Sequence, residues 1–117
     1  MKVKIDNIEG EEIKNNETYI LEDNAYLEHM TLSRTLLKEG QSTRGHSHEK
    51  EEEVYMFTHG EAFMQINEEF HHAKSGDVFL IKAGEFHRVF NKSESHTCAF
   101  TCIFEKYDRA SDDAKYK

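Results

Sequence analysis

Apolar side chains recur along this chain in short runs with a period near two, the spacing of a half-buried strand rather than a helix. LEHMTLSRTLL (27–37) is rich in apolar and β-branched residues and runs into Gly40. EVYMFTH (53–59) presents apolar side chains on both faces. AFMQIN (62–67) alternates, with Met64 and Ile66 on one side and Phe63 and Gln65 on the other; Asn67-Glu68 then reads as a turn. DVFLI (77–81), FHRVFN (86–91) and HTCAFTCIF (96–104) continue the series. Short strands at regular intervals, punctuated by turn residues, predict an all-β sandwich or barrel. The tail EKYDRASDDAKYK (105–117) is polar and reads as a frayed end or a short helix. No repeat or linker interrupts the pattern, which predicts one domain over 1–117 with its core at about 27–104.

Composition narrows the classes of function. The 117 residues suffice for one core and not two. Hydrophobic residues make up 37% and charged residues 32%, the balance of a folded chain rather than a disordered one. A net charge of −8 argues against a nucleic-acid partner, which needs a basic face. No apolar run is long enough to span a bilayer, and MKVKIDNIEGEE has no signal-peptide core. The expectation is a cytoplasmic protein with no membrane partner. Cys98 and Cys102, four apart on one predicted strand, lie about 13 Å apart if they share a face, too far for a disulfide. They read as two buried thiols.

Candidate chemistry gathers at His46, His48, Glu53 and His87. Three imidazoles and a carboxylate suit a divalent transition metal and leave coordination positions for a substrate or oxygen. His46 and His48, two apart, point the same way on a strand. The acidic neighbours Glu49, Glu51 and Glu52 read as a solvated loop. Adjacent His71 and His72 point to opposite strand faces. They read, with His29, His59 and His96, as structural or exposed.

Spacing carries the reading further. One frame runs Gly40, five residues, His46, one residue, His48, four residues, Glu53, six residues, Gly60. A second runs Gly76, five residues, Lys82, Ala83, Gly84, two residues, His87, three residues, Asn91. The pair resembles the two motifs of the cupin superfamily, in order and at the short separation of small single-domain members. The first frame is complete; the second departs at Lys82, where the family usually has proline. The resemblance implies a jelly-roll (double-stranded β-helix) barrel whose metal is held by the residues matching His46, His48, Glu53 and His87. It implies tight turns at Gly60, Gly76 and Gly84, where glycine tolerates the backbone angles. The chain has no proline at all. That loss should loosen loops slightly and leave the metal site intact.

Strand parity extends the site inward. If Glu53 faces the interior, so do Tyr55 and Phe57; if His87 does, so does Val89, while Arg88 points away. Met64 and Ile66 add an apolar wall. Tyr55 is a candidate proton donor or substrate-orienting group near the metal, or a packed core residue with a satisfied hydroxyl. Glu85, two before His87, is a second acid/base candidate. Arg44 and Lys82 are the cations nearest the site in sequence, though both read more readily as surface charge. Asn91 reads as closing a turn.

The cofactor expected is one divalent transition metal: manganese, iron, nickel, cobalt and zinc all tolerate such ligands. Of three functions the first is preferred: a metalloenzyme of isomerase or epimerase type acting on a carbohydrate-like or other polar small molecule, with an iron-dependent dioxygenase or a non-catalytic small-molecule-binding module as alternatives. Fold and ligand set do not choose among them. A homodimer is expected, with residues 5–13 as a segment able to add an edge strand to a neighbour.

Overall fold

The computed structural model describes residues 1–107; the expectation for the tail beyond Tyr107 lies outside them. Among the described residues there are nine strands and no helix: β1 (Glu11–Asn15), β2 (Tyr19–Asn24), β3 (Met30–Leu37), β4 (Glu53–His59), β5 (Glu61–Ile66), β6 (Glu69–Lys74), β7 (Val78–Ile81), β8 (His87–Phe90) and β9 (Cys98–Glu105). All pairings are antiparallel. They form a six-stranded sheet in the order β1-β2-β3-β9-β4-β7 and a three-stranded sheet in the order β6-β5-β8. This is the expected double-sheet barrel. No helix among these residues is long and apolar enough to cross a membrane.

The core lies between the sheets, built by alternation. In β4, Glu53, Tyr55 and Phe57 are buried while Val54, Met56 and Thr58 are half-buried. β5 buries Ala62 and Met64 and exposes Phe63; β8 buries His87 and Val89. Leu37, Met64 and Val89 are fully enclosed and pack with Phe57 and Phe100. Each such side chain contributes roughly 1.5–3 kcal/mol by leaving water. Cys98 and Cys102 are buried thiols, not joined in a disulfide, on the inward face of β9, as the spacing predicts. Burial pushes the Cys98 thiol up to about 12.

β3 inverts the usual rule. Thr31, Ser33, Thr35 and Leu37 face in, while Leu32 and Leu36 are only half-buried. An interior wall that carries hydroxyls belongs to a barrel with a polar cavity rather than to a closed core.

β1 and β2 join the same sheet ahead of the expected core, and residues 5–8 are engaged within their own chain. Ile8 is fully buried, Thr101 Oγ1 donates to the Ile5 carbonyl at 2.7 Å, and Asn24 Nδ2 donates to the Ile8 carbonyl at 2.8 Å. Residues 11–13 belong to β1, which pairs with β2 and forms one edge of the larger sheet.

Candidate metal centre

The segment between β3 and β4 carries His46 and His48, and it runs alongside β8 rather than looping free. Gly40 N donates to Ser93 O at 2.8 Å, Asn91 N to Gln41 O at 2.8 Å, and Thr43 N to Val89 O at 2.9 Å. His46 and His87 exchange two backbone bonds, at 3.1 and 2.9 Å. Arg88 points away from the interior, as parity requires, and clips the same segment: its Nε donates to Thr43 O at 2.7 Å and its Nη2 to Ser42 Oγ at 2.9 Å. Gly84 N donates to His48 O. The two motifs are therefore fastened backbone to backbone before any ligand is considered.

Gly45 makes the approach possible. Its φ is +86°, and a Cβ there would stand 2.6 Å from the Phe86 ring. Any other residue would be strained twice, by backbone angle and by contact. Gly60, Gly76 and Gly84 also have positive φ, at the expected turns.

The four candidate donors converge. Their ligand atoms all lie within 4.8 Å of one another. From Glu53 Oε1, the Nε2 atoms of His87, His48 and His46 stand at 3.2, 3.9 and 4.0 Å. Donors bound at about 2.1 Å to one ion sit about 3.0–3.5 Å apart, so small side-chain adjustments bring this set to a common centre. His48, Glu53 and His87 are buried; the His46 side chain is 23% exposed and marks the open side.

The proton arrangement favours a cation. His87 Nδ1 is 3.0 Å from the Glu85 carbonyl, which can only accept, so Nδ1 carries the hydrogen. The Nε2 lone pair then faces the Glu53 carboxylate. Burial alone would raise the Glu53 pKa; His46 and His87 outweigh it and bring it down to about 2. A carboxylate and an imidazole lone pair 3.2 Å apart need a positive charge between them. A proton on Nε2 supplies it, and so does a metal ion. The residues fit a divalent transition metal.

Glu85 explains how the turn copes without proline. Lys82 stands where the related motif has proline, and its backbone N–H, which proline would lack, donates to Glu85 Oε1 at 2.7 Å. The carboxylate thus ties the turn, while the carbonyl of the same residue orients His87. Lys82 itself is exposed. Asn91 closes a loop, as expected: its Nδ2 donates to the carbonyls of Leu37, Lys38 and His96.

The donors open into a pocket that holds His46, Glu53 and Tyr55 together with Phe100, Phe104 and Arg44. Tyr55 is buried, its ring edge-on to His87 with centroids 5.5 Å apart. The same pocket reaches Ser33, Thr35, Thr43 and Tyr19, and beyond them Lys14. Tyr107 also lines it, its ring 4.3 Å from that of His48. Lys14, Tyr19 and Tyr107 do not emerge from the sequence pattern. The Thr31-Ser33-Thr35 parity in β3 is the available signal for a polar cavity. The other histidines lie elsewhere: His71 pairs with Glu69 and His72 with Glu61, each at 3.3 Å on exposed parts of the small sheet.

Comparison with known proteins agrees with this fold. The sequence profile of the cupin domain matches residues 33–104. KdgF from Halomonas sp. superposes with a TM-score of 0.75 at 14% identity, over 87% of this chain and 92% of that one. A protein from Thermus thermophilus gives 0.71 at 26% identity, over 78% and 86%. A protein described as a sugar phosphate isomerase from a cupin superfamily, from Silicibacter pomeroyi, gives 0.70 at 17% identity, over 78% and 61%. No curated protein matches the sequence.

Proposed function

Because the chain belongs to the cupin family, we propose that it is a small metalloenzyme acting on a carbohydrate-like or other polar, oxygen-rich molecule by proton transfer, as an isomerase or epimerase. One observation carries this reading: the convergent donor set opens, at its exposed member His46, into a pocket whose walls bear the hydroxyls of Ser33, Thr35, Thr43, Tyr19 and Tyr55. Hydroxyls both donate and accept, which suits a polyhydroxylated ligand. A bound divalent ion would supply Lewis acidity toward a carbonyl or hydroxyl oxygen.

The chain's own groups divide the remaining work. Tyr55, buried beside His87 and facing the pocket, holds or moves a proton at a substrate oxygen. We assign Glu85 to positioning, since its carboxylate fastens Lys82 N and its carbonyl fixes His87. Phe100 and Phe104 limit water on the pocket floor. The Silicibacter pomeroyi neighbour, described as a sugar phosphate isomerase, is of the same kind, though at 17% identity the likeness supports fold rather than substrate.

The same apolar floor favours a second reading, an iron-dependent dioxygenase. Metal analysis of protein purified without chelator or histidine tag separates the two, followed by proton NMR of candidate hydroxy-carbonyl sugars in D2O. Manganese, zinc, cobalt or nickel with deuterium entering next to the carbonyl supports the isomerase. Iron with oxygen uptake and no exchange replaces it with the oxygenase. Bound metal with neither signal reduces the protein to a binding module. A homodimer in the cytoplasm remains our working expectation for its setting.

A further inference from the structure

The pairing of β1 with β2 breaks step at one residue. Glu12 stands opposite Glu22, and in a regular ladder Ile13 would stand opposite Leu21, whose side chain is buried and lines the pocket. Instead the register shifts, and Lys14 takes the place opposite Leu21. Ile13 is left 42% exposed, while Lys14 is the one residue of the strand that is not exposed. A bulge re-aims side chains in this way, and bulges gather beside functional sites. Here it leaves an isoleucine exposed and sets a half-buried lysine on the pocket lining, against the preference of both side chains.

The result is a cation on the wall of the pocket that contains His46 and Glu53, with Arg44 on the same lining. The chain as a whole carries −8, so its general field repels anions. An anionic ligand needs local positive charge to enter. Lys14 also lies outside residues 33–104, the segment shared with the family profile.

We propose that Lys14 is a specificity-determining residue that receives the carboxylate or phosphate of a hydroxylated substrate whose other oxygens face the His46–Glu53 end of the pocket. The inference rests on the metal-site reading above and narrows its substrate class to anions.

The test titrates glucose, glucuronate and glucose 6-phosphate into Mn(II)-loaded protein by calorimetry, with metal content measured first. The two anions should bind at least tenfold more tightly than glucose, and the tighter of them identifies the anionic group. Lys14→Gln should weaken anion binding at least tenfold, leaving glucose binding and metal content unchanged; Lys14→Arg should retain most of the affinity. Inorganic phosphate titrated into metal-free protein should show the same dependence on Lys14. Equal binding of glucose and the anions, unaltered anion affinity in Lys14→Gln, or no binding of any of the three sugars overturns the proposal. Failure to hold metal, with phosphate binding still dependent on Lys14, overturns the metal reading instead.

Discussion

Two walls of one pocket are made in opposite ways. The wall that shows His46 and Glu53 to the pocket backs onto buried His48 and His87, and His46 and His87 come from two segments that lie side by side, fastened by the backbone bonds of residues 40–46 with 87–93. The wall of Lys14, Tyr19 and Leu21 comes from an edge hairpin, and its one charged member is aimed by a bulge. The first wall is over-determined: remove one contact and several others still hold the imidazoles. The second hangs on a single irregularity at Ile13. A fold can thus keep its chemistry constant and vary what it admits, because the two properties sit on elements with different tolerance to change.

Substitutions can pull the two walls apart. The largest effect is expected at the donors. His48→Ala should lower metal affinity by at least about 100-fold while circular dichroism shows the strands intact, because three donors no longer enclose the ion. Acid comes next. With a folded pKa of about 2 against an ordinary 4.5, Glu53 stabilises the metal-free fold fully above about pH 4.5. That contribution, roughly 3 kcal/mol at most, fades as pH falls from 4.5 toward 2. Chemical denaturation across this range should show the loss, and Glu53→Gln should flatten it.

A smaller break is expected at Gly45. Gly45→Ala meets both the positive φ and the Phe86 ring, so it should cost about 2 kcal/mol in thermal or urea unfolding and weaken metal binding by displacing His46. The smallest effect belongs to Glu85→Ala. Losing the bond to Lys82 N should cost about 1 kcal/mol and lower metal affinity several-fold through the turn that orients His87. Binding of phosphate to the metal-free protein should survive it.

The first wall was legible in the sequence and the second was not, for physical reasons. His46, His48 and Glu53 sit close in sequence, and strand parity carries Glu53 inward with Tyr55 and Phe57; the same parity sends Arg88 out to clip Thr43. β1 and β6 read as EEIKN and EFHHAK, with too few apolar residues to announce a strand. Among the described residues both are edges of their sheets, paired with one neighbouring strand only. The facing of β3 was ambiguous, because Leu32 and Leu36 alternate with Thr31, Ser33 and Thr35, and only the polar cavity decides which set turns in. Lys14 lay beyond parity altogether, since a bulge exists only once two strands have paired.

The double backbone bond between His46 and His87 has a kinetic consequence. Two of the candidate ligands are held at their separation by the ladder itself, so capture of an ion requires little ordering of chain. Uptake should then be governed by passage of the ion past the exposed face of His46, and release by the rate at which this short ladder opens. An ion bound in a barrel built this way should exchange without the chain having to unfold.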